Sequence, residues 1–113
     1  MAVDDSLNLA FSALSDPTRR AILARLATGE ATVSQLSEPF SLSQPAISKH
    51  LKVLESAGLI EAIRDGKQRP RRLKPAGLEQ TRQYVEQMAS YWPDRFGQLG
   101  AFLKSSRAGG TDT

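Results

Sequence analysis

The chain has 113 residues, 15 Lys and Arg against 12 Asp and Glu, a formal charge of +3 and 40% hydrophobic residues. That length fits one domain with a modest core, and that apolar content sets wholesale disorder aside. Without cysteine there are no disulfides, thiolate metal sites or thiol catalysis; with no apolar run of bilayer length and no apolar signal core after Met1, a soluble, cytoplasmic protein with no membrane partner is expected.

Leu7, Ala10, Phe11 and Leu14 recur at helical spacing and predict a first helix over residues 6–14. Asp16 is placed to accept a bond from an unpaired amide, and Pro17 suits a first helical position. A second helix therefore starts there, with Ile22, Leu23 and Leu26 as its apolar stripe and Gly29 as a left-handed cap. Thr32 with Gln35 three residues on is a capping-box pattern for a short third helix, with Val33 and Leu36 inward and Pro39 as its end. After Phe40-Ser41-Leu42, Ser43 caps a fourth helix that Gly58 closes; Ile47, Leu51 and Leu54 form its buried face.

The period then changes from helical to alternating. Residues 59–64 read as a strand, Asp65-Gly66 as a hairpin turn and 68–73 as the returning strand. Pro70 has no N–H for a ladder, so that strand is an edge or is interrupted there. Pro75-Ala76-Gly77 leads into a last helical segment. Leu78, Val85, Met88, Trp92, Phe96, Leu99 and Leu103 recur along it close to a heptad, and Pro93 kinks or splits it. Residues 105–113 read as a disordered tail.

The order is helix, helix, short helix, tight turn, helix, hairpin, long helix. The fold class is thus mainly α, a winged helix-turn-helix: helices plus a two-stranded β-hairpin wing. In such a unit the second helix of the motif enters the major groove, where each base pair shows its own donor and acceptor pattern. Turning 100° per residue from Ile47 puts Pro45, Ser48, Lys49 and Lys52 on the outward side. Gln44, beside the capping Ser43, stands at the end that meets base edges. His50, the only histidine, falls at the boundary of the buried face, divided between a structural role and a phosphate contact.

Residues 64–74 carry six basic side chains and one acid, Asp65, the footprint of a polyanion-binding wing. Arg64, Lys67, Arg69, Arg71 and Arg72 are its candidate phosphate contacts, with Arg69 and Arg71 favoured on one face and Lys67 at the tip. The expected partner is double-stranded DNA. The apolar first and last helices are expected to pair with a second copy through Leu7, Phe11, Leu78, Val85, Met88, Trp92, Phe96, Leu99 and Leu103. Such a homodimer presents two reading helices about one DNA turn apart, which calls for an inverted-repeat site. Residues 1–104 then form one DNA-binding and dimerisation domain.

Leu14-Ser15-Asp16-Pro17-Thr18-Arg19-Arg20-Ala21-Ile22-Leu23, then 42–54 and Ala57-Gly58-Leu59-Ile60, resemble the signature, reading helix and wing exit of the ArsR/SmtB family of bacterial repressors. The resemblance spans residues 9–73, and the end of the chain resembles a metal-free branch of that family. It implies a winged-helix dimer that represses transcription until a signal releases it. The thiolate pair of the family's metal sensors falls here on Thr32 and Ser34, whose hydroxyls are poor ligands for soft ions. No cofactor and no metal site is therefore expected.

Sequence-specific repression without metal sensing is the leading expectation. Beside it stand carboxylate-only metal sensing, an architectural DNA-binding protein and a protein-interaction winged helix. An enzyme finds no support, because no nucleophile–base pair or phosphate-cradling loop is present. An effector, if there is one, has a candidate groove at Tyr84, Met88, Tyr91 and Trp92; packed interface is the plainer reading of those residues.

Overall fold

Helix α1 spans Asp5–Leu14 in the computed structural model, which describes residues 5–91. The expectations for Trp92, Pro93, Phe96, Leu99, Leu103 and the 105–113 tail lie outside the described residues. Ala10 and Ala13 are the buried residues of α1, and their small size lets its backbone lie close to α2 and α4. Helix α2, Pro17–Leu26, opens as the cap logic requires: the Asp16 carboxylate accepts the Arg19 N–H at 3.0 Å and Pro17 stands in the first turn. Its end differs from expectation. Ala27 closes it in a right-handed conformation, and Gly29 has φ 145, outside the left-handed helical region. The Thr28 N–H and hydroxyl both donate to the Arg25 carbonyl, at 3.1 and 2.7 Å, and the Gly29 N–H donates to the Leu26 carbonyl at 3.1 Å, so the last carbonyls are met without a left-handed cap.

Helix α3, Val33–Phe40, carries the full capping box: Thr32 Oγ1 accepts the Gln35 N–H at 3.2 Å, and Gln35 Oε1 accepts the Thr32 N–H at 2.9 Å. Pro39 lies inside it rather than ending it. A proline in the last turn forfeits only one backbone bond; the stop is set by Ser41, left-handed at φ 54 and ψ 36. Helix α4, Gln44–Ser56, is capped by Ser43, whose hydroxyl accepts the Ala46 N–H at 3.2 Å. It ends in a paired bond pattern: Gly58 N–H to the Glu55 carbonyl at 3.0 Å and Leu59 N–H to the Leu54 carbonyl at 3.1 Å, with Gly58 at φ 77. A Cβ on Gly77 would run into the Gly58 carbonyl, so a side chain there has no room against the α4 stop.

The hairpin is shorter than expected. Strand β1 is Ile60–Ala62 and β2 is Arg71–Leu73, antiparallel, with Ile60 opposite Leu73 and Ala62 opposite Arg71. Leu59 belongs to the α4 stop rather than to the strand, so Leu59 and Ile60 are both buried and do not alternate. Pro70 interrupts the returning strand: its carbonyl accepts the Ile63 N–H at 2.8 Å, but it has no N–H to return. At Arg71, β2 is not an edge. Ala31 and Arg71 exchange both backbone bonds, at 3.0 and 2.7 Å, an isolated bridge on the side away from β1.

Ile22, Leu36, Ile47, Leu51, Leu54, Leu59 and Ile60 are the large side chains at the centre of the core, with Leu14, Phe40, Leu73 and Leu78 packed around it. Helix α5 is Pro75–Tyr91. The chain divides after Thr81, whose hydroxyl donates to the Gly77 carbonyl at 3.1 Å. From Arg82 on, the helix has its own ties: Arg82 pairs with Glu86 at 2.7 Å, and Gln87 Nε2 donates to the Tyr91 hydroxyl at 3.2 Å. Among the described residues no helix is long and apolar enough to cross a membrane.

Candidate nucleic-acid interface

Three fully buried side chains, Ile47, Leu51 and Leu54, orient α4 by anchoring one face in the core. The opposite face then has no choice. Pro45, Ser48, Lys49 and Lys52 are exposed along it, with Ser43 and Gln44 exposed at its start. The wing beside it exposes Arg64, Lys67 and Arg69. A recess of about 280 Å³ separates the first turn of α3 from the wing, with Thr32 and Ser34 on one side and Lys67 and Arg69 on the other.

The cations sort into two groups. Arg19 donates to the carbonyls of Ala13 at 2.8 Å and Ser12 at 3.1 Å; Arg20 donates to that of Leu14 at 2.6 Å. Arg25 donates to Gly29, Arg71 pairs with Glu55 and Arg72 with Glu61. Lys49, Lys52, Arg64, Lys67 and Arg69, with Lys74 just after β2, by contrast, have side chains with no protein acceptor among the described residues. The first five are the cations on the outer face of α4 and the wing that are available to a polyanion.

Two expected contacts are held inside the fold. His50 leans toward the start of α2, its Nδ1 3.4 Å from Arg19 Nη1 and 3.9 Å from Asp16 Oδ2. The bond from the Arg19 N–H holds the Asp16 carboxyl below its ordinary value of 3.8, against a smaller upward push from desolvation and with help from the Arg19 and His50 charges. Arg71 is half-buried, and its Nε donates to Glu55 Oε2 at 2.6 Å. The Arg19–His50 contact, the Glu55 pairing and the Ala31 bridge had no signal in the spacing, since each joins residues far apart in the chain.

Of the expected seam residues, Leu7, Leu78 and Met88 are half-buried and Phe11 is exposed; Val85 is 51% exposed. Among the described residues no group of three or more His, Cys, Asp or Glu could hold a metal ion.

Residues 16–62, from the α2 cap to the end of β1, match the family of bacterial regulatory proteins, arsR family. The HTH-type transcriptional regulator Rv2034 of Mycobacterium tuberculosis is 44% identical over 78 residues, covering 69% of this chain and 73% of that protein. The transcriptional repressor SdpR of Bacillus subtilis is 45% identical over 60 residues, covering 53% and 67%. The homodimeric winged helix-turn-helix DNA-binding domain Mb0332 of Mycobacterium bovis, solved by NMR, superposes with a TM-score of 0.66 at 26% identity, over 83% of this chain and 87% of that one. With the capped helix-turn-helix, the basic wing and these likenesses together, the chain belongs to the ArsR family of transcriptional regulators and has their winged helix-turn-helix fold.

Proposed function

We propose that the protein is a cytoplasmic repressor that binds an inverted-repeat DNA operator as a homodimer and acts by binding rather than by catalysis. The observation that carries this reading is the sorting of cations: α4 and the wing, the two elements that a winged helix sets against a duplex, hold five basic side chains without a protein acceptor among the described residues. Lys49, Lys52, Arg64, Lys67 and Arg69 are the phosphate contacts, supplying affinity and register. Gln44 and Ser48 read base edges, where Gln can bond adenine in two places, and Ser43 and Pro45 shape the approach. His50 and Arg71 act from inside the fold.

The homodimer is supported by the Mycobacterium bovis relative, which is one, and by the apolar residues of α1 and α5, Phe11 and Val85 among them. Regulation proceeds without metal at α3: Thr32 stands where the family's sensors carry a thiolate, and its hydroxyl oxygen is already the cap acceptor for Gln35.

Titration of the protein against its own promoter and against random duplex of equal length, at several salt concentrations, tests the reading. Tight promoter binding, weak random binding and a steep salt slope are expected. Equal binding to both would make it an architectural protein, and binding to neither would remove DNA as its partner. Gln44→Ala is expected to narrow the gap between promoter and random duplex; an unchanged gap would take Gln44 out of base reading.

A further inference from the structure

Glu55 is the only acidic side chain of α4. An acid on a helix set against a polyanion weakens binding by repulsion, so its presence calls for a compensating role. Its partner is Arg71. The Arg71 Nε donates to Glu55 Oε2 at 2.6 Å, and its Nη1 donates to the Arg69 carbonyl, so one planar fork holds both an α4 side chain and the wing backbone. Arg71 is also fixed by its own backbone, paired with Ala62 of β1 on one side and with Ala31, just ahead of α3, on the other. Its side chain is 17% exposed, against 57% for its neighbour Arg72.

We propose that the Arg71–Glu55 pair is a positioning clamp for operator binding, which seats the wing against the reading helix so that Lys67 and Arg69 meet phosphate while α4 meets bases. This rests on the reading that α4 and the wing bind duplex DNA. Arg71 then works through Glu55 and not by touching phosphate. Holding the wing in place before binding removes part of the ordering cost that a loose hairpin would bear on association.

The clamp and plain electrostatics predict opposite signs. Deleting the Glu55 charge makes the surface more positive and removes a repulsion with the polyanion, so electrostatics alone predicts tighter binding for Glu55→Gln. The clamp predicts that Glu55→Gln weakens operator binding about tenfold. It further predicts that Arg69→Ala costs less in the Glu55→Gln background than in the native chain, because an unseated wing has already lost that contact. A merely structural pair would lower the thermal midpoint and leave the Arg69 contribution unchanged.

Arg71→Lys supplies a second variant. It keeps the charge but cannot fork, so the clamp predicts the Glu55→Gln behaviour and a phosphate contact predicts nearly native binding. The experiment titrates the full-length native chain and these variants against labelled promoter and random duplexes, with thermal midpoints measured alongside. Native promoter binding with Glu55→Gln as tight or tighter, or additive effects of Glu55→Gln and Arg69→Ala, overturns the clamp alone. Failure of the native chain to bind either duplex overturns the DNA reading and the clamp with it.

Discussion

Helices α2 and α4 share a plan. Each has a polar N-cap (Asp16, Ser43), a proline in its first turn (Pro17, Pro45), a fully buried isoleucine (Ile22, Ile47) and a pair of basic residues (Arg19 and Arg20; Lys49 and Lys52), with Arg25 a third in the last turn of α2. They differ in what the basic residues touch. Arg19 and Arg20 close the end of α1 by donating to the carbonyls of Ser12, Ala13 and Leu14, whereas the α4 lysines have no protein acceptor among the described residues. The residue type matches the task. A guanidinium fork can bridge several carbonyls at once, while an ammonium on a flexible stem stays hydrated and mobile until an anion arrives. Equal formal charge thus has two uses, one in holding the fold and one in meeting a partner.

The largest expected effect tests what the two helices share. Ile22→Ala and Ile47→Ala each remove a fully buried side chain and are expected to cost about 2–5 kcal/mol of unfolding free energy. Denaturant unfolding at constant m-value measures this. A loss of under about 1 kcal/mol at either site would break the parallel at its root, because the outward face of that helix would no longer be set by its anchor.

Next comes the difference itself. Arg19→Ala removes a part-buried bond to the Ala13 carbonyl, an exposed one to the Ser12 carbonyl and the part-buried His50 contact, and is expected to cost about 1–3 kcal/mol of stability with the salt slope of DNA binding unchanged. Lys49→Ala is expected to do the reverse: stability within about 0.5 kcal/mol of native, and a salt slope lower by about one. If Arg19→Ala lowered the slope, or Lys49→Ala spared it, the division between fold-holding and partner-meeting cations would fail.

Much of this was legible in the chain. The caps at Asp16, Thr32 and Ser43 are local, set by side chains bonding amides three residues on, and spacing reveals them. The buried face of α4 follows from its period. The Gly29 and Pro39 readings went astray because helix ends were settled by neighbours: Thr28 caps the Arg25 carbonyl, and Ser41 takes the left-handed turn. The hairpin came out short because Leu59 belongs to the helix stop and Pro70 breaks the ladder. What the chain could not show was which arginines are committed to the fold. Arg69 and Arg71 sit two apart in one basic run, yet only Arg71 meets an acid, and that acid is sixteen residues away.

The smallest expected effect lies in the two caps, because only one of them titrates. The bond from the Arg19 N–H lowers the Asp16 carboxyl, so the folded state holds its charged form more strongly than the unfolded chain does. The sign follows: that contribution is fully present above the ordinary value of 3.8 and is lost as pH falls through the lower folded value. Asn at this position can still cap but cannot titrate. The thermal midpoint of the native protein is therefore expected to fall more steeply than that of Asp16→Asn between about pH 5 and about pH 2, while Ser43→Ala keeps the native pH slope because a hydroxyl carries no proton equilibrium there. The other carboxylates are common to all three proteins, so the difference between their acid limbs isolates Asp16. Parallel limbs for native and Asp16→Asn would mean that the start of α2 is held by a cap bond to which charge adds nothing, as the start of α4 is.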